Sequence, residues 1–362
     1  MKLPQSTNER LTHIESGRGI AALAVLLLHA GSMTTPEQYS GKVGLNNIFG
    51  VGQYGVDFFF VLSGFILFRS CRLALGQPSK VPSYLQRRFF RIFPTYWFAL
   101  ALALFINQFQ RERVSVDTGF IGQQLLMLSN PPWLGPAWTL QYELAFYTLI
   151  GIGLFKVRLA VAIGVLWLAA ILTFPMIGLA TAVPAGTFGL TSPYCLLFFL
   201  GIAAELNSRS RHGPVGAIGF AALGVLSLTL CQHVKDPMVS DLIFRLGVGL
   251  LLAATVCLAV EIESRGKQAP ALWVYLGKIS YSLYLTHITF IGITYAVLAR
   301  LGLYKAMPEA LCMALATLVS IGAAIIIHRV IEMPSIRLGH RLERGRGPVA
   351  LRRPMAPHLT HD

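Results

Sequence analysis

The chain of 362 residues is 54% hydrophobic and only 13% charged, where a soluble domain carries about a quarter of its residues as charges. Its mean hydropathy of +0.61 excludes an ordinary soluble enzyme. A net charge of +14, from 30 Lys and Arg against 16 Asp and Glu, would suggest nucleic acid in a soluble protein; in a chain this apolar it reads as membrane topology, and no nucleic-acid partner is expected.

In chain order, a polar segment 1–13 precedes the first apolar block, which lacks a small-residue cleavage pattern and therefore reads as a retained helix. Apolar blocks bounded by charge, Pro or Gly then give about ten spans, each able to cross a ~30 Å hydrocarbon layer. They fall at 14–33, 53–70, 92–109, 138–155, 159–175, 192–207, 215–232, 241–260, 272–298 and 308–328. Gly, Pro and Thr dilute the pattern between Phe174 and Pro193. The expected fold is all-α and polytopic, one transmembrane domain over 14–336 with no separate soluble domain and no internal repeat. An Arg- and Pro-rich tail, 337–362, is expected to be disordered.

Loop charge tests this parse, because cytoplasmic loops of a polytopic protein are rich in Lys and Arg. With the loop 69–91 and both termini on one side, 22 of the 30 basic residues share that side and six lie on the other; Arg245 and Lys278 fall inside spans. Both termini are therefore expected in the cytoplasm. The five cysteines, Cys71, Cys195, Cys231, Cys257 and Cys312, have no metal-ligand or CxxC spacing, so neither a disulfide framework nor a metal site is expected.

Ionisable groups inside spans are the functional suspects, since each costs at least ~2.5–3.5 kcal/mol to insert. Arg18 and His29 are eleven residues apart in the first span, three turns on one helix face and ~16 Å along the axis. Asp57 in the second span and Glu143 in the fourth lie about a turn in from the opposite end, so His29, Asp57 and Glu143 are expected at one depth, with Asp57 or Glu143 orienting His29 or pairing with an arginine. Gly64, seven residues after Asp57, permits close helix approach. Arg88 and Arg91, at i and i+3 where the third span begins, suit a phosphate clamp as well as a plain cytoplasmic anchor. His287 in the ninth span reads more readily as a helix–helix hydrogen bonder than as a catalyst, and Glu332 as a structural partner for Arg88 or Arg91.

These elements together resemble the membrane acyltransferase family 3. The matching stretches are Gly17-Arg18-Gly19 with His29; Gly55-Val-Asp57-Phe-Phe-Phe-Val-Leu-Ser63-Gly64-Phe65; Arg88-Phe-Phe-Arg91-Ile-Phe-Pro94; Trp138-Thr139-Leu-Gln-Tyr142-Glu143; Leu276-Gly-Lys-Ile-Ser280-Tyr281-Ser-Leu-Tyr-Leu-Thr-His287; and Glu332-Met-Pro334. They stand in the family's order over residues 10–336, with Thr139 where Ser is common. The resemblance implies a ten-helix enzyme of the bacterial inner membrane. It would take an acyl group, usually acetyl, from cytoplasmic acyl-coenzyme A as co-substrate, with no resident cofactor. The acceptor would be a sugar hydroxyl of an extracytoplasmic or lipid-linked glycan, and the wording around Trp138 looks most like the exopolysaccharide-modifying branch.

Carried over residue by residue, His29 matches the essential histidine, Arg18 the basic residue before it, Arg88 and Arg91 the coenzyme A side, and Glu143 the acidic residue after the Trp; Ser63, Thr139, Tyr142 and His287 are further candidates. His29 would act as general base with Glu143 or Asp57 orienting it, or would carry the acyl group covalently. The rival from another class is a proton-coupled secondary transporter, in which intramembrane His, Asp and Glu relay protons.

Overall fold

A computed structural model describes residues 11–33, 49–109, 117–179 and 186–344, and among them every regular element is helical. The helices are α1 (Thr12–Ser32), α2 (Tyr54–Cys71), α3 (Val81–Asn107), α4 (Thr118–Leu125), α5 (Trp138–Phe155), α6 (Val157–Thr173), α7 (Tyr194–Ser208), α8 (Gly213–Cys231), α9 (Pro237–Ser264), α10 (Ala271–Arg300), the one-turn α11 (Leu303–Ala306), α12 (Glu309–Ile327) and α13 (Met333–Arg344). Ten of them occupy the ten predicted spans. Seven are long and apolar enough to cross a bilayer on length and composition, and α6 and α7 are shorter apolar helices. The exterior agrees: Leu166 and Ile218 are each 70% exposed, which suits lipid and not water. The chain is a polytopic all-α membrane protein.

Local signals set several ends. Asp236 caps α9 by accepting from the N–H groups of Met238 and Val239, with Pro237 as first helical residue, a preorganised start. Gly302, at φ +72°, takes the left-handed turn after α10 that a Cβ would penalise.

Glycines set how the helices meet. α1 and α10 run parallel at one offset: Thr12 accepts from the N–H of Ala269, Gly19 sits on the backbone of Gly277, and His29 meets His287. α1 and α2 run antiparallel, with Gly55 on the carbonyl of Ala21 and Gly52 on that of Ala24. α2 and α7 form a reciprocal seam, Gly64 against the Phe198 carbonyl and Gly201 against the Val61 carbonyl, the small-residue packing that lipid-embedded helices favour. The expected role of Gly64 is thus realised against α7.

The Arg-rich loops gather at one end of the bundle. There Glu205, fully buried, accepts from Arg69 at 3.2 Å and Arg209 at 2.6 Å and lies 3.5 Å from Arg72. Two apolar cores result, one around Phe60, Phe65, Tyr142, Phe146 and Phe198, the other around Leu26, Ile279, Leu283, Tyr295 and Met313.

Two expectations need correction. α3 starts at Val81, well before the predicted span at 92–109, and continues through Pro94, so Arg88 and Arg91 are helical neighbours as their i, i+3 spacing implied; the polar, Arg-bearing turns before them are helical although their hydropathy does not announce a span. The tail is not irregular from residue 337 on, since its described part is helical to Arg344. One π turn, His328–Glu332, leads from α12 into α13, which docks on α3 through Gln86 to the Gly339 carbonyl, Ser335 to the Phe90 carbonyl, and Arg87 to Glu343. Lys2, Arg10, Lys42, Arg111, Arg113 and the tail beyond Arg344 lie outside the described residues.

Candidate active site

Against the first of these cores lies a cavity of about 320 Å³, walled by α1, α2, α3, α5 and α10. Arg18 enters from α1; Ser63 from α2; Arg88 and Arg91 from α3; Thr139, Glu143 and Tyr147 from α5; Ser280, Tyr281 and Tyr284 from α10. Phe59, Phe60, Leu62, Ile66 and Leu67 supply the apolar wall. Among the described residues, three guanidinium groups against one carboxylate leave the cavity with two positive charges in excess. Such a site suits an anion, and planar guanidinium forks suit phosphate in particular.

Each charge is held by its surroundings. The Arg88 guanidinium lies 5.5 Å from the Tyr84 ring centroid and 5.0 Å from that of Tyr147, and donates to Ser70 Oγ at 3.3 Å. Among the described residues its Nε is buried without a hydrogen-bond partner, as is Ser280 Oγ. These are two polar atoms at the cavity that protein groups leave unsatisfied, which is the condition a polar ligand relieves. Glu143 accepts at Oε1 from Ser63 Oγ at 3.1 Å and from Tyr147 Oη at 2.9 Å. Arg18 is within electrostatic reach of Arg91, Glu332 and Glu143.

The histidines sit just past the far wall. On α10, Tyr284 lines the cavity and His287 follows one turn later, the two ring centroids 5.8 Å apart. His287 Nε2 is 3.2 Å from His29 Nδ1. Arg18 lines the cavity while His29, ~16 Å further along α1, does not; Tyr284 is the lining residue in ring contact with His287.

The expected common depth of His29, Asp57 and Glu143 does not hold. The antiparallel register of α1 on α2 brings Asp57 level with about residue 19, roughly 15 Å from the level of His29. Glu143 meets Ser63, six residues further along α2. A sequence gives distance from a helix start, but the starts are staggered, because α1 runs past the beginning of α2. Asp57 is fully buried outside the cavity and bonds Arg245 at 2.7 Å, whose guanidinium lies 4.2 Å over the Tyr194 ring. The structure therefore realises the arginine pairing, and places neither Asp57 nor Glu143 on His29.

Of the other candidates, Thr139 lines the cavity and donates to the Pro136 carbonyl. Tyr142 turns away, donating to the Thr187 carbonyl and accepting from the N–H of Gly189. Glu332 bonds Ser282 at 2.6 Å and His328 at 2.9 Å and makes no ion pair with Arg88 or Arg91. Sequence reasoning missed Tyr147, although it stands four residues after Glu143 on the same face. It also missed Tyr284, one turn before His287, and Glu205, an ionisable group inside a span.

Comparison with known proteins adds an independent line. A family model described as an acyltransferase domain matches residues 12–329. Exopolysaccharide production protein ExoZ of Rhizobium meliloti (strain 1021) is 32% identical over 314 residues, covering 80% of this chain and 92% of its own. Acyltransferase MdmB of Streptomyces mycarofaciens is 28% identical over 376 residues, 94% of each chain. Protein 2 in the picA locus of Rhizobium radiobacter is 35% identical over 101 residues, 28% of this chain and 47% of its own. No solved structure matches.

Proposed function

The chain belongs to acyltransferase family 3, and from that premise we propose that it moves an acyl group, acetyl in the first instance, from acyl-coenzyme A to a sugar hydroxyl of a cell-surface glycan. The cavity carries this reading: a positive, partly apolar chamber lined by Arg88 and Arg91 at the Arg-rich end and by Tyr284, one turn before the histidine that contacts His29. A donor with phosphates at one end and a thioester on a flexible arm matches that polarity. The name of ExoZ refers to exopolysaccharide production, which directs the acceptor towards a polysaccharide.

In this reading the Arg-rich end faces the bacterial cytoplasm, in keeping with the distribution of basic loops, and the membrane is the inner one. Arg18, Arg88 and Arg91 neutralise the donor's phosphates, Tyr147 and Ser63 hold Glu143 near them, and the acyl arm extends along α10 towards the histidines. His29 takes the proton of the acceptor hydroxyl as its oxygen bonds the acyl carbon; the coenzyme A thiolate leaves and receives that proton. A covalent acyl-histidine is the second form of the same step.

The test is transfer from radiolabelled acetyl-coenzyme A in membranes that contain wild type, His29→Ala or Arg88→Ala at matched levels. Label should enter the glycan with wild type and with neither variant, and label trapped on wild-type protein would indicate the covalent form. Glycan labelling that survives His29→Ala would overturn the assignment.

A further inference from the structure

The pairing of the two histidines fixes protons. His287 is 1% exposed, and its Nδ1 lies 2.7 Å from the Tyr284 carbonyl oxygen and 3.2 Å from that of Leu283. A carbonyl oxygen only accepts, so Nδ1 of His287 carries its proton and, in the neutral ring, Nε2 is a bare lone pair. That lone pair points at His29 Nδ1, 3.2 Å away. The same His29 Nδ1 lies 2.9 Å from the Val25 carbonyl oxygen. Both described neighbours of His29 Nδ1 are acceptors, so that nitrogen is the one that holds hydrogen, and in the neutral ring Nε2 of His29 carries the lone pair.

We propose that His287 is a positioning residue for His29: it accepts from His29 Nδ1–H, holds the ring in the tautomer whose Nε2 is the working nitrogen, and takes up part of the charge when that Nε2 gains a proton or an acyl group. In triads of the Ser-His-Asp kind a carboxylate does this task; here a second imidazole does it, anchored by the backbone of its own helix. The ring centroids are 4.9 Å apart and the planes at 63°, so the two rings do not stack face to face. Parallel packing of α1 on α10, set by Gly19 on Gly277, brings the two rings to one level. The consequence for catalysis rests on the acyl-transfer reading above, whereas the tautomer can be read with no turnover at all.

Two side chains separate this role from simple helix packing. Glutamine places its terminal oxygen where imidazole has Nε2, and asparagine reaches only as far as Nδ1. His287→Gln should hold kcat within about threefold of wild type, while His287→Asn and His287→Leu should lower kcat by about 10- to 100-fold with KM for acetyl-coenzyme A unchanged. The reverse order, Asn active and Gln not, would assign His287 to the carbonyls of α10 alone and overturn the proposal. In parallel, ¹⁵N spectra of histidine-labelled wild type in bilayers, with the His29 signals identified by their loss in His29→Gln, should show a protonated Nδ1 and a bare Nε2. A proton found on Nε2 of His29 overturns the proposal whether or not the enzyme turns over. A wild type inert with every acyl-coenzyme A, yet showing an Nδ1 proton on His29 whose signal shifts in His287→Leu, would support the histidine pairing and count against the acyl-transfer reading, whereas a signal unchanged in His287→Leu would assign that proton to the Val25 carbonyl alone and overturn the proposal.

Discussion

Gly201→Ala tests the α2–α7 seam that holds Ser63 in place. A Cβ built on Gly201 lies 2.0 Å from the Val61 carbonyl oxygen and 2.7 Å from the Phe65 nitrogen, and one on Gly64 lies 2.1 Å from the Phe198 carbonyl oxygen. Ordinary contact begins at 3.4 Å, so a single methyl requires the helices to part by about 1.4 Å, and the obstacles are backbone atoms that no rotamer change removes. Overpacking of this kind costs about 1–3 kcal/mol, and rigid partners put these sites at the upper end. Gly322 in α12 has nothing within 4 Å of its added Cβ; there alanine should gain up to ~1 kcal/mol through helix propensity. Thermal unfolding in one detergent should therefore rank Gly322→Ala at or above wild type, with Gly201→Ala and Gly64→Ala well below it. Because α2 carries Ser63 next to Gly64, the seam variants should also lose acyl transfer at temperatures where they remain folded. Equal stability of Gly201→Ala and Gly322→Ala would refute the reasoning.

Removing any one of Arg18, Arg88 and Arg91 deletes a charge-assisted contact to an anionic donor. Glutamine at each position should raise KM for acetyl-coenzyme A by about 10- to 100-fold, as ~1.5–3 kcal/mol per contact implies, and initial-rate kinetics in vesicles read it; an unchanged KM in all three variants would place the phosphates elsewhere. At the second buried pair, Arg245→Leu leaves a fully buried Asp57 without its cation and should destabilise the fold by about 3–5 kcal/mol. Asp57→Leu combined with Arg245→Leu should recover much of that loss in a thermal melt, whereas additive losses would show that the pair itself is not the source.

Much of the architecture was legible because hydropathy blocks and loop charge are properties of single segments. Each of the ten spans found its helix, and two of the basic loops meet where Arg69, Arg72 and Arg209 gather on Glu205. Four of the six leading site residues, Arg18, Arg88, Arg91 and Glu143, do share one cavity. What the sequence did not disclose was pairing between segments. Whether Asp57 would meet His29 or an arginine depends on the stagger of α1 on α2, set by where Gly52 and Gly55 touch α1, and no distance counted along one helix contains it. His287 was visible as an intramembrane histidine, yet its partner follows only from the parallel register of α10 on α1. Tyr147 and Tyr284 could have been found, since each stands one turn from a residue already singled out; the helical start of α3 could not, because Arg-bearing turns look the same as loops by hydropathy.

The central claim is that a donor held at the Arg-rich end reaches an acceptor at the histidine end. Sealed inverted vesicles, with radiolabelled acetyl-coenzyme A outside and an oligosaccharide acceptor trapped inside, test it most directly. Label should appear in the trapped acceptor and be lost with His29→Ala and with Arg88→Ala while both proteins remain in the membrane. Label confined to acceptor on the donor's own side, or transfer inward that persists without His29, would contradict it.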